Sequence, residues 1–432
     1  MFNKKLKSLR LGLVVGGLIL LTVIAVGKEK FKPVLGTKFY PPVEMGRPEK
    51  GIPIIEPNFH TRIMRITDKS DGYTGPGIEN EYARTDPENA DGTYLILRGN
   101  DGGWYRYRTA DFKLVEHLDI TGGGEKPEPR WDNSNPKIFY YLYGSKLKSY
   151  NFGTGKVTTV HDFRKDFSAV TYITTKTEGD TSRDRRFWCF MLEDYGYRIQ
   201  AVVCYDKKLN KIIGRKDTFP DNINWVSMDM SGKHCIIGYE NLPAQVFSND
   251  LSISFSLPNG ANGHMDPALT ADGKDVMVFQ NNANDWISMV DLSTGVETKL
   301  LPIPFDVNGD IGLHFSGNGS ETPGWVLVST YGSKNLPTES KDHSWMDTQL
   351  FMLELKNKPI VWRLAYTHAY TSLDFSAEKN YFSEAFAAIN QKGTKIYFGS
   401  NWSNFTTDYS DAYQLTLPDD WRKNLKKNIF GR

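Results

Sequence analysis

One short pattern of polar and apolar positions recurs along most of the chain. A polar turn, usually containing Gly or Asn, is followed by a short run of apolar or aromatic residues. Three clear copies are "ENADGTYLILRG" (88–99), "LTADGKDVMVFQ" (269–280) and "INQKGTKIYFGS" (389–400). The turn residues tolerate the positive φ that a tight hairpin needs, and the apolar run suits a buried strand. Each copy therefore predicts a turn that leads into a central β-strand.

Further copies bring the number to seven, and the spacing between them is regular. They are "DNSNPKIFYYLYG" (132–144), "TSRDRRFWCFML" (181–192), "DMSGKHCIIGYE" (229–240) and, with a longer turn, "NGSETPGWVLVSTYG" (318–332). Each copy is followed by a second strand–turn–strand pattern, such as "ISMVDLSTGVETKLLP" (287–302). Gly92 and Gly393, matching points of the first and last copies, lie 301 residues apart (393 − 92), which is six intervals of roughly 50 residues. A four-stranded repeat of that length is typical of a β-propeller blade, so the sequence predicts an all-β, seven-bladed β-propeller.

The last repeat lacks one clear strand, while an unassigned strand-like segment, "FHTRIMRITD" (59–68), precedes the first. We expect residues 63–66 to pair into the blade that holds residues 396–398, because ring closure removes exposed sheet edges. The predicted domain organisation is a membrane anchor or signal segment (1–30), a linker (31–54), the propeller (55–418) and a basic C-terminal tail (419–432).

The N-terminus predicts a single hydrophobic helix. The basic stretch "MFNKKLKSLR" is followed by "LGLVVGGLILLTVIAV" (11–26), which carries no charge. This length lies between a signal-peptide core and a full membrane span, so a retained anchor is favoured and a signal cleaved near Ala25-Val26-Gly27 is the alternative. The basic flank places the rest of the chain on the periplasmic or extracellular side of the cytoplasmic membrane.

Charge and composition argue against several classes of partner. Lys and Arg number 52 against 51 Asp and Glu, so no excess charge favours nucleic acid. No Walker loop or GxGxxG turn is present, which argues against a nucleotide, and we expect no cofactor. Aromatic residues make up 13% of the chain and there are 38 Gly, which favours strands and turns.

The three cysteines leave at least one free thiol. Cys189 and Cys204 could face each other on adjacent strands, but buried single thiols are the favoured interpretation for these two and for Cys235. No CxxC motif or Cys/His zinc spacing occurs, so we expect no metal.

The repeat resembles that of a known group of propellers. "TADGKDVMVF" and "NADGTYLILRG" are similar to the WD40-like repeats of the exported TolB and oligogalacturonate-lyase group, over most of residues 55–418. The resemblance implies the fold, and its lyase branch implies a His-x-His pair at a metal site. This chain contains no His-x-His, and Phe386 stands where the resemblance places a histidine.

Polar residues recur where each innermost strand should lie, just before each turn. The candidate ligand-binding residues are Glu81, Arg130, Asp132, Glu178, Asp180, His264, Asp266, His314 and Glu384. The catalytic candidates are His264, His314, Arg130 and Tyr82. If the ring binds a ligand, we expect five of them to converge in one cavity at one end of the channel: Arg130, His264, Asp266, His314 and Glu384. The alternative is that these polar residues only satisfy the hydrated backbone of channel-lining strands.

These observations favour a membrane-anchored binding or scaffold module over an enzyme. Its partner would be a membrane-protein complex or a glycan. The alternative is a polysaccharide lyase acting on uronate-containing glycans, because β-elimination needs a base and a group that neutralises the carboxylate.

Overall fold

The computed structural model describes residues 32–73, 75–307, 311–332, 343–370, 381–403 and 409–430. The predicted anchor at residues 11–26 lies outside these ranges. Within the described residues, no helix combines the length and the apolar character needed to cross a membrane.

The described residues form strands almost throughout. The first strands in chain order are β1 (Val34–Leu35), β2 (Ile54–Ile55), β3 (Arg62–Arg65), β4 (Gly77–Glu79), β5 (Tyr94–Gly99), β6 (Trp104–Arg108) and β7 (Lys113–Leu118). Next come β8 (Arg130–Trp131), β9 (Ile138–Tyr143), β10 (Lys146–Asn151), β11 (Lys156–Asp162), β12 (Tyr172–Thr174), β13 (Phe187–Glu193), β14 (Ile199–Asp206) and β15 (Lys211–Lys216).

The second half of the chain continues in the same way. It contains β16 (Ile223–Met228), β17 (His234–Tyr239), β18 (Gln245–Ser248), β19 (Ser254–Ser256), β20 (Met265–Leu269), β21 (Asp275–Asn281), β22 (Trp286–Asp291) and β23 (Glu297–Pro302). The last strands are β24 (Gly312–Ser316), β25 (Trp325–Tyr331), β26 (Gln349–Glu354), β27 (Val361–Tyr366), β28 (Ala388–Ile389), β29 (Lys395–Ser400) and β30 (Ser410–Thr416). Two 3-10 turns (Lys69–Asp71 and Phe163–Lys165) and the helix α1 (Trp421–Phe430) complete the described elements.

Consecutive strands pair as antiparallel meanders. Four sheets hold four strands each: β8–β11, β12–β15, β16–β19 and β20–β23. A fifth sheet consists of β24–β27 with β1 added at its outer edge, and the sixth holds nine strands. The nine-stranded sheet has two parts. One part consists of β28, β29, β30, β3 and β2, and the other consists of β4–β7. The two parts join where β30 runs parallel to β4.

The predicted ring closure is confirmed. Ile63 in β3 pairs with Leu415 in β30, and Leu415 also pairs with Ile396 in β29. The strand that precedes the first repeat is therefore an integral strand of the last sheet, which ties the two ends of the repeat array together.

The hydrophobic core lies between successive sheets. For example, Leu142 of β9 packs in one buried cluster with Phe190 and Leu192 of β13. Because the second strands of the sheets are covered on both faces, their sequences are almost continuously apolar, as in "YLILRG" and "DVMVFQN".

Both flanking segments pack against the sheets. In the segment expected to be a linker, β1 pairs with β27, and the backbone carbonyl of Met45 accepts a hydrogen bond from Nε1 of Trp402 at 3.1 Å. In the basic tail, Trp421 of α1 is buried against the rings of Trp325 and Trp362. Burial of this indole holds the helix on the last two sheets.

The cysteines differ from the expectation of three single thiols. Cys189 in β13 forms a disulfide with Cys235 in β17, which links two adjacent sheets. Cys204 is a buried free thiol, and it does lie directly opposite Cys189 in the strand register. The sequence pattern failed here because the bonding partner belongs to the next sheet and not to the same hairpin.

Candidate binding site at the mouth of the channel

Three predicted residues from three successive sheets form one hydrogen-bonded chain. His264 immediately precedes β20, His314 lies within β24, and Glu384 precedes β28. Nδ1 of His264 lies 2.9 Å from Nδ1 of His314, and Nε2 of His314 lies 3.0 Å from Oε2 of Glu384. The matching positions of these residues in neighbouring repeats bring them into direct contact.

Aromatic rings enclose His314, which is 1% exposed although we expected it to line an open channel. The ring centroids of Tyr82, Tyr331 and Phe386 lie 5.3, 4.7 and 4.9 Å from that of His314. His264 is only half-buried, and its ring contacts the same group at one side. His264 is therefore the more accessible member of the chain.

Burial determines the charge of this chain. Desolvation, with the nearby Arg84 charge, lowers the pKa of His314 to about 3. Desolvation, the His314 ring and Arg84 likewise hold the pKa of His264 well below its usual value. Burial raises the pKa of Glu384 to about 8. At neutral pH the carboxyl of Glu384 can donate to His314, and His314 can donate to His264, with every member uncharged.

Arg84 is almost completely buried, and its guanidinium lies 5.8 Å from the ring of Tyr82, which contacts His314. Its guanidinium donates to the backbone carbonyl of Glu178, lies 3.7 Å from the carboxylate of Glu178, and stacks over Trp225 at 4.3 Å. The Glu178 side chain is 31% exposed. A positive charge at this position disfavours protonation of the histidines and favours a bound anion.

Asp266 joins two inner strands and takes no part in the histidine chain. Its Oδ2 accepts a hydrogen bond from the backbone N–H of Gly317 at 2.6 Å. Gly317 permits this approach, since a Cβ there would lie 1.9 Å from the carbonyl oxygen of Pro267. Burial raises the pKa of Asp266 to about 8.

Arg130, predicted as a catalytic candidate, instead links three sheets. It donates to Oε2 of Glu81 at 2.6 Å and to the carbonyl of Gly179 at 2.9 Å, and its Nε lies 3.4 Å from Asp180. Arg130, Glu81 and Asp180 are therefore brought together, but they form no hydrogen bond with His264.

Asp132 belongs to a turn. Its carboxylate accepts hydrogen bonds from the backbone of Ser134 and Asn135 and from the hydroxyl of Tyr140. These bonds fix the connection between β8 and β9, and the structure does not bring Asp132 to the histidines.

Unsatisfied polar atoms concentrate in the segment that follows β4. Buried side-chain atoms without a hydrogen-bond partner include Glu79 Oε1, Asn80 Oδ1, Glu81 Oε1, Arg84 Nη2, Thr85 Oγ1, and Nε and Nη2 of Arg98. Native proteins pair nearly all buried polar groups with protein, water or ligand. These residues are therefore candidates to bind a polar ligand.

Several site residues were not predicted because they do not belong to inner strands. Tyr331 ends β25, Arg98 lies in β5, and Tyr381 follows the connection after β27. A signal was present for Arg98, since it interrupts the apolar run "YLILRG" of a strand that is covered on both faces.

Comparisons with known proteins agree with the architecture. The oligogalacturonate lyase of Vibrio parahaemolyticus aligns with a TM-score of 0.59 at 12% identity, over 86% of this chain and 97% of its own. An oligogalacturonate lyase in complex with manganese aligns with a TM-score of 0.57 at 13% identity, over 90% and 98% respectively.

The other comparisons are weaker. The C-terminal WD40 domain of Sif2 aligns over 78% of this chain and 81% of its own at 11% identity, with a TM-score of 0.40. No protein-family model and no curated protein sequence matches the chain. Identities this low bear on the fold alone, and the chain has a β-propeller fold.

Proposed function

We propose that this chain is a seven-bladed propeller, anchored at the outer face of the cytoplasmic membrane, that binds an acidic glycan at the mouth of its channel. The observation that carries the proposal is the contact of His264, His314 and Glu384 beside a region of unsatisfied buried polar atoms. The binding module would act alone or as a subunit of a membrane complex.

Seven blades follow if the nine-stranded sheet is divided at the short parallel contact between β30 and β4. That contact spans two residue pairs, whereas β3 pairs with β30 over four. The division leaves β28, β29, β30 and β3 as the last blade and β4–β7 as the first.

The disulfide supports an extracytoplasmic location. Disulfides such as Cys189–Cys235 form and persist in oxidising compartments outside the cytoplasm. The basic flank and hydrophobic segment at the N-terminus favour retention at the membrane with the propeller outside. Detergent extraction followed by pull-down tests the complex: a stoichiometric membrane protein supports a scaffold role, and a protein recovered alone opposes it.

A glycan fits the chemistry of the mouth. The half-buried ring of Tyr331, beside His264, offers aromatic surface, while His264 and Glu384 offer donors and acceptors that are uncharged at neutral pH. Sites that bind sugars and other small ligands combine an aromatic wall with a few placed polar groups. Two structural neighbours with TM-scores of 0.59 and 0.57 are named as oligogalacturonate lyases, which favours an acidic sugar.

A lyase is the second candidate, favoured by the contact of His264 with His314. In the tautomer in which Nδ1–H of His264 donates to His314 and Nε2–H of His314 donates to Glu384, Nε2 of His264 is free to remove a proton from carbon. Among the described residues, the only three potential metal ligands that lie close together are Cys189, Cys204 and Cys235. Two of these form the disulfide, so the described residues do not fit manganese. A lyase built on this site would rely on cationic side chains to neutralise the carboxylate.

Calorimetry with oligogalacturonides tests the binding proposal. The double variant His264→Gln/His314→Gln should lower affinity at least about tenfold, since hydrogen bonds to charged or buried partners are lost. His117→Ala, in the exposed part of β7, is the matched control and should bind as the unmutated protein does. Absence of binding by the unmutated protein would contradict the proposal.

Ultraviolet absorbance of the unsaturated elimination product distinguishes the two candidates. A lyase would release this product from uronate polymers and lose the activity in the double variant. Binding without any product would identify a binding module.

A further inference from the structure

Arginines elsewhere in this protein use one edge of the guanidinium to hold a carboxylate. Nε and Nη2 of Arg106 donate to Glu116 at 3.1 and 2.8 Å, and the same two atoms of Arg108 donate to Asp111. This edge presents two N–H groups in one plane, which matches the geometry of a carboxylate.

The corresponding edge of Arg98 is empty. Its Nε and Nη2 are buried and have no hydrogen-bond partner, and the residue is only 7% exposed. The guanidinium stacks near the rings of Phe382 and Tyr381, with centroid distances of 5.3 and 6.0 Å. A buried cation with two unused donors requires a partner from outside the protein's own side chains.

The nearest acids do not fill this edge. Glu79 lies opposite Arg98 in the strand register, yet its Oε2 accepts from Ser410 at 2.9 Å, and Oε2 of Glu81 accepts from Arg130. Among the described residues, Arg98 forms no ion pair with either acid, and Oε1 of each is itself unpartnered. Burial raises the pKa of Glu79 to about 8 even though Arg98 lowers it, so Glu79 is protonated at neutral pH.

Arg98 belongs to the same mouth as the histidine chain. The guanidinium of Arg98 lies 6.0 Å from the ring of Tyr381, the centroid of which lies 4.7 Å from that of Phe386. The ring of Phe386 in turn lies 4.9 Å from that of His314, so two aromatic rings connect Arg98 to the histidine chain.

We propose that Arg98 binds the carboxylate of the acidic sugar through its Nε–Nη2 edge and so determines specificity for an acid over its neutral ester. The inference rests on the proposed glycan-binding function and names the residue that recognises the acidic group. The unpartnered oxygens of Glu79 and Glu81 would accept from, or donate to, the hydroxyl groups that flank this carboxylate.

Paired titrations test this assignment. Arg98→Lys keeps the charge but removes the two-donor edge, so we expect affinity for a galacturonate trisaccharide to fall at least about tenfold. Affinity for the methyl-esterified trisaccharide should not change. Arg106→Lys is the matched control, because Arg106 lies on the adjacent strand and its edge is already occupied by Glu116. It should leave both affinities unchanged, and far-ultraviolet circular dichroism should show that both variants are folded.

The outcomes separate the two levels of the proposal. If the unmutated protein binds neither sugar, the proposed function fails. If it binds the acid and Arg98→Lys binds equally well, the assignment of Arg98 fails while the function stands. Equal losses for the acid and the ester would assign Arg98 a structural role and would also overturn the inference. If Arg98→Lys does not fold, Arg98→Gln gives the same comparison.

Discussion

Two buried charged residues, Glu88 and Arg98, lie close together in the chain but differ in their hydrogen bonding. Oε1 of Glu88 accepts from Lys395 at 2.7 Å, and its Oε2 accepts from Asn390 and from the Tyr397 hydroxyl. Arg98 leaves two donors unpaired. The cluster at Glu88 joins the first repeat to the last, whereas Arg98 lies beside the rings of Tyr381 and Phe382.

The predicted site residues differ in their partners. Arg130 is bonded to Glu81 and to backbone carbonyls of other segments, whereas His264, His314 and Glu384 bond one another. Position in the repeat therefore selected residues that tie sheets together as well as the members of the histidine chain.

The largest expected effect on stability is at the cluster of Glu88 with Lys395, Asn390 and Tyr397. Glu88→Gln replaces one acceptor oxygen with an amide donor that would face Lys395, Asn390 or Tyr397. We expect a loss of about 2–3 kcal/mol in the free energy of unfolding, because a buried charged hydrogen-bond network is broken. Urea denaturation measures it, and a change below about 0.5 kcal/mol would contradict a structural role for this cluster.

Stability should also depend on pH between about 6.5 and 8. In the folded state the pKa of Asp266 is raised to about 8, so the folded protein keeps this proton while the unfolded chain, with a pKa near 3.8, has lost it. Stability therefore falls as pH rises, by about 1.4 kcal/mol per pH unit for such a group. The lowered pKa values of the histidines act in the opposite direction, but only below about pH 6.5.

Asp266→Asn isolates this contribution. The amide oxygen can still accept from the Gly317 N–H, so we expect the fold to persist and the decline in stability between pH 6.5 and 8 to become shallower. Thermal unfolding across that range measures the slope. An unchanged slope would show that Asp266 is not the group that retains the proton.

A smaller effect on the free energy of unfolding is expected at Glu79, which lies opposite Arg98 in the strand register. Glu79→Gln replaces a carboxyl that is already protonated at neutral pH, and its amide oxygen can accept from Ser410 as before. We expect a change below about 1 kcal/mol at pH 7, since no ion pair is lost. A loss as large as that of Glu88→Gln would remove the distinction between the two regions.

The sequence predicted the repeat and the ring closure because both depend on local patterns. The turn-plus-strand unit specifies each hairpin, and matching repeat positions placed His264 and His314 in neighbouring sheets. The contacts of Arg98 with Tyr381 and Phe382 were not predictable from inner strands, because Arg98 lies in β5. The Cys189–Cys235 bond depends on which faces of two adjacent sheets meet, and no local pattern encodes that.

The central claim, that the histidine chain is neutral and contacts the ligand, can be tested by nitrogen NMR of the histidine side chains. At pH 6 the signals of His264 and His314 should be those of neutral imidazoles, and both should shift when galacturonate trisaccharide is added. His161 and His234, which bond Asp166 and Asp229, are internal controls and should not shift. Charged rings at pH 6, or a ligand that binds without moving either signal, would contradict the account.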